Sequence, residues 1–145
     1  MTEPKWSPEQ KQAIEESIQL WQAISERIRN GEEIPTGKLD SFKQEVGASI
    51  GLNPRMKYGC PLCEKFSDDD DECDECPIEI DIIPLYPPHP IGVSCYYTPY
   101  ADFEIDYSNY RNTINEEKRE EYRKQLLESS DAFVEYLKSL LKRGE

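Results

Sequence analysis

The sequence predicts a mainly α protein with a small α+β component: two long terminal helices packed antiparallel, separated by a loop-rich, zinc-stapled module that holds one short β-hairpin. Three observations predict it. Both ends of the 145-residue chain carry apolar residues at helical spacing, the middle holds two Cys-x-x-Cys pairs, and six prolines fall from Pro77 to Pro99 inclusive. A chain of this length fits one domain, 1–145, helical over 7–47 and 113–143, with the cysteine module 56–100 inserted between.

The first helix starts at Ser7-Pro8-Glu9-Gln10, where Ser7 can cap, Pro8 suits the first helical position and Gln10 completes a capping box. Ile14, Ile18, Trp21, Ile24 and Ile28 recur at spacings of three and four, and Asn30-Gly31 supplies the stop, so the spacing predicts a helix over 8–30. Leu39, Phe42 and Val46 repeat the pattern, giving a short helix near 38–46 that ends at Gly47. Gly51-Leu52-Asn53-Pro54 then reads as a loop leading into the cysteines.

From Cys76 to Asn112 the prolines forbid any long helix. Ile78-Glu79-Ile80-Asp81-Ile82 alternates apolar and acidic residues, a strand with one wet face, and Val93 to Thr98 can pair with it as a hairpin. The intervening run Pro84 to Pro90 is a stiff extended loop. Thr113-Ile114-Asn115-Glu116 is a second capping box, from which a long helix should run to about Lys142 with Tyr122, Leu126, Phe133, Leu137 and Leu140 on its inner face. At about 1.5 Å per residue both terminal helices exceed 30 Å and can pair along their length.

Composition narrows function. Seventeen basic residues against thirty acidic ones give a net charge of -13, a field that repels nucleic-acid phosphates and anionic lipid surfaces. The acidity is local: Glu64 to Asp81 holds ten carboxylates against one lysine, so nine of the thirteen excess charges lie there. The N-terminal stretch MTEPKWSPEQ lacks the apolar run of a secretory signal, and no segment approaches the roughly 20 apolar residues that cross a bilayer. A cytoplasmic setting without membrane contact is therefore expected, where Cys-x-x-Cys serves metal binding or redox chemistry more than structural disulfides.

Cys60-Pro61-Leu62-Cys63 and Cys73-Asp74-Glu75-Cys76 each bend two sulfurs toward one ion, and together they supply the four soft ligands that tetrahedral zinc prefers. The nine-residue gap suits a compact treble-clef-like or short-loop site. Cys95 is a fifth thiol, a spare or a replacement for Cys60 or Cys76, and an iron–sulfur cluster uses the same ligand count. A Zn(Cys)4 centre carries two net negative charges, so Asp68 to Glu72 should face water rather than the sulfurs. Asp71, Glu72, Asp74 and Glu75 disfavour a reactive thiolate at Cys73 and Cys76, which leaves Cys60 and Cys63 as the pair open to a thiol oxidoreductase role.

No catalytic constellation is evident. His89 is the sole histidine and sits among prolines; neither a phosphate-cradling glycine loop nor a G-x-S-x-G or H-E-x-x-H motif occurs. Tyr86, Tyr96, Tyr97, Tyr100, Phe103, Tyr107 and Tyr110 suit a recognition surface, but several are expected to pack the module onto the helix pair instead.

The order of an N-terminal helix centred on Trp21, then Cys60-Pro61-Leu62-Cys63, then Cys73 to Pro77, then Cys95 followed by Thr98-Pro99-Tyr100, then a helix ending AFVEYLKSLL, resembles a group of small five-cysteine proteins of bacteriophages and bacteria. The resemblance implies a cysteine-based metal module on Cys60, Cys63, Cys73, Cys76 and Cys95 and brings no activity with it. The five-acid insert and the proline-rich loop depart from that pattern.

These readings converge on a small metal-binding protein that acts by contact with another protein. Its alternative is a phage-type inhibitor whose carboxylates imitate a nucleic-acid backbone against a basic host nuclease or polymerase.

Overall fold

The computed structural model describes residues 6–31, 34, 39–52, 77–78 and 98–143, and four helices occur among them: α1 (Pro8–Arg29), α2 (Leu39–Ser49), α3 (Pro99–Asn112) and α4 (Glu116–Arg143). α1 begins as its sequence dictates. Ser7 Oγ accepts from the Gln10 amide at 3.1 Å, the Gln10 side chain accepts from the Ser7 amide at 2.9 Å, and Pro8 fills the first turn. Asn30 caps the far end and Gly31 takes φ 81°, the left-handed conformation that stops a helix without a Cβ clash.

α2 corrects the expected stop at Gly47. The helix passes through Gly47 and ends two residues later, where Gly51 at φ 90° lets the Leu52 amide bond Gly47 O at 2.9 Å and its own amide bond Ala48 O at 3.2 Å. This is a Schellman close, which needs left-handed backbone one residue past the cap; of the two glycines only Gly51 stands there.

α3 is the larger correction, because no long helix was expected between Cys76 and Thr113. Every proline in the interval lies at or before Pro99, and Pro99 itself occupies the first turn, where a missing amide costs nothing. Thr98 is the N-cap, with Oγ1 accepting from the Tyr100 amide at 3.2 Å. Phe103, Tyr107 and Tyr110, spaced by four and three, then form the buried face. Pro77 and Ile78 are helical and buried, not the first residue of a strand; the rest of the predicted hairpin, 79–82 and 93–97, lies outside the described residues.

α4 is capped by Asn115, two residues beyond the Thr113 at which its capping box was expected to begin. Asn115 Oδ1 accepts from the Glu117 and Lys118 amides at 3.0 and 3.2 Å, while Thr113 closes α3 and holds the Asn115 amide at 3.4 Å. Glu116 and Glu117 in the first turn complement the positive end of the helix dipole.

α1 and α4 run antiparallel, as expected: Trp6 Nε1 donates to Leu140 O at 2.7 Å at one end, Ser25 and Ser130 hydroxyls meet at 2.7 Å nearer the other, and Arg123 donates to Ile28 O at 3.0 Å. α4 packs against both α1 and α3, and α2 adds a smaller contact to α1. The shared core centres on Trp21, whose indole meets Tyr100, Phe103 and Phe133 edge-on at 5.7, 4.8 and 5.1 Å between centroids. Phe42 brings α2 into the same core by stacking on Tyr107 at 6.3 Å.

Candidate functional site

The predicted ligands Cys60, Cys63, Cys73 and Cys76, with Cys95, His89 and the acids Asp68 to Glu72, lie outside the described residues. What is described is the helical surface at the points where the cysteine segment joins it. The described residues that flank the cysteine segments are Leu52, Pro77 with Ile78, and Thr98. Ile78, two residues after Cys76, is 1% exposed and belongs to the same core as Trp21 and Phe42. Thr98, three residues after Cys95, is buried as the cap of α3.

Lys43 stands between these junctions. It is 2% exposed, and its Nζ donates to the Tyr100 hydroxyl at 2.8 Å, so α2 reaches the first turn of α3 through a charged hydrogen bond. Nζ also lies 4.8 Å from the Tyr100 ring centroid. Its burial was legible: position 43 follows Leu39 by four and precedes Val46 by three, which puts a lysine on the apolar face of α2.

Of the aromatic residues expected to pack the module onto the helix pair, the described ones lie on α3 in the helical core, and the module itself lies outside the described residues. Phe103, Tyr107 and Tyr110 are buried, and Tyr100 lies partly buried against Trp21. Burial pushes the Tyr107 hydroxyl above its ordinary value, with Arg111 opposing the rise.

Two polar features lie elsewhere on the bundle. Ser129 of α4 donates to Asp106 of α3 at 2.5 Å, and burial, reinforced by Asp102 and Glu128, holds that carboxyl above the usual range although the Ser129 bond pulls the other way. No histidine stands among the described residues to make this pair a nucleophile and base. A groove of about 540 Å³ runs between α1 and α4, lined by Gln22, Arg29, Asp131, Glu135 and Lys138 among others. Arg29 pairs with Asp131 at 3.1 Å across it, an exposed ion pair of small energetic weight.

Among the described residues no group of three or more His, Cys, Asp or Glu side chains could hold a metal, and no helix is long and apolar enough to cross a membrane. Compared with family models, with curated proteins and with solved structures, the chain matches none.

Proposed function

We propose that the chain is a small metal-binding protein that works through protein–protein contact, with Cys60, Cys63, Cys73 and Cys76 holding one structural zinc ion. Two Cys-x-x-Cys pairs provide four thiolates, the donor set that zinc binds in closed tetrahedral sites. The observation that carries the reading is the burial of Ile78 in the helical core immediately beyond the second pair. A segment rooted in the bundle at that point gains a defined position once its sulfurs share an ion, because metal binding and local folding are one equilibrium. The ion organises the segment; the bundle carries it; the acids Glu64 to Asp81 give it a charge that suits a basic protein partner in a cytoplasmic setting.

The test is elemental analysis of protein purified under reducing conditions without added metal, followed by chelation and circular dichroism. About one zinc per chain, and loss of signal on chelation while the helical content of the bundle persists, is the expected result. Metal-free protein with an unchanged spectrum overturns the proposal, and iron in place of zinc replaces the ion while keeping the ligands.

The charge of -9 between Glu64 and Asp81 favours a second reading, an inhibitor that occupies a basic nucleic-acid groove. Changing Asp68 to Asp71 to Asn should then abolish capture of a basic host nuclease or polymerase and remove the salt dependence of that capture. Unaltered capture eliminates it.

A further inference from the structure

We draw no further inference here: the strongest candidate, the polar groove of about 540 Å³ between α1 and α4, carries nothing, because the ion pairs Arg29–Asp131 and Lys138–Glu135 join its own lining residues at the surface and nothing in the structure shows what covers it.

Discussion

The α1/α4 contact has two adjoining layers of opposite character. One turn before Ser25 on α1 stands Trp21, and one turn after Ser130 on α4 stands Phe133. The Trp21 layer is aromatic and joins three helices, with Tyr136 stacked on Phe133 at 6.1 Å and α3 contributing Tyr100 and Phe103. The serine layer is small and polar, and it joins α1 and α4 through hydroxyls 2.7 Å apart. Side chains reaching one bond past Cβ can meet only where two backbones approach closely, whereas large rings fill the wider space where a third helix intervenes. Size selects the spacing, and hydroxyl pairing makes a small polar layer tolerable in a core.

Removing the aromatic centre should break the molecule first. Trp21→Ala deletes the ring shared by α1, α3 and α4 and should cost about 3–5 kcal/mol in urea unfolding, enough to unfold a domain of ordinary stability. A cost under about 1 kcal/mol would show that the three helices do not depend on a common centre.

The serine layer should respond less and asymmetrically. Ser130 Oγ donates to Leu127 O at 3.0 Å, so the shared hydroxyl contact has Ser25 as donor and Ser130 as acceptor. Ser130→Ala strands the Ser25 donor and should cost about 1–3 kcal/mol, whereas Ser25→Ala leaves Ser130 donating to Leu127 and should cost about 1 kcal/mol or less. A larger loss for Ser25→Ala than for Ser130→Ala would reverse the assigned direction of the bond.

At the α3/α4 contact, pH sharpens the comparison further. The Asp106 carboxyl titrates above its ordinary value of 3.8 in the folded chain. The folded state therefore holds the proton more tightly than the unfolded one. Stability from this group is greatest in acid and falls as pH rises from the ordinary value through the raised one. Asp106→Asn should flatten that segment of the stability–pH curve, with a difference from the wild type that grows toward neutral pH and vanishes in strong acid. Smallest of all is Ser17→Ala. The Ser17 hydroxyl is buried on α1 without a hydrogen-bond partner among the described residues, so its removal should leave thermal stability unchanged or raise it slightly.

Sequence reasoning found the parts that repeat. α1 and α4 were legible because their apolar residues recur over many turns, and the bounds at Ser7, Asn30 and Gly31 follow from capping chemistry. α3 was missed because proline density was averaged over an interval whose last proline begins a helix; Thr98-Pro99 followed by Phe103, Tyr107 and Tyr110 was the available signal. The Ser25–Ser130 layer leaves no trace in apolar periodicity, since two serines on separate helices declare no relation until the helices pair. For the cysteines, spacing is the basis on which the ligands and the ion are proposed, while the choice between Cys95 and its rivals depends on three-dimensional contacts that no local pattern encodes. Lys43 was readable as a misplaced charge but not as a partner of Tyr100, which lies 57 residues away.

Trp6 and Arg123 make a crosswise clasp. The indole lies ahead of α1 and ties down a carbonyl of the last turn of α4, while the guanidinium, from early in α4, ties down a carbonyl at the end of α1. Fraying at either end thus withdraws a ligand from the other helix, and the two outermost regions of the polypeptide, 134 positions apart at the Trp6–Leu140 bond, melt together rather than separately.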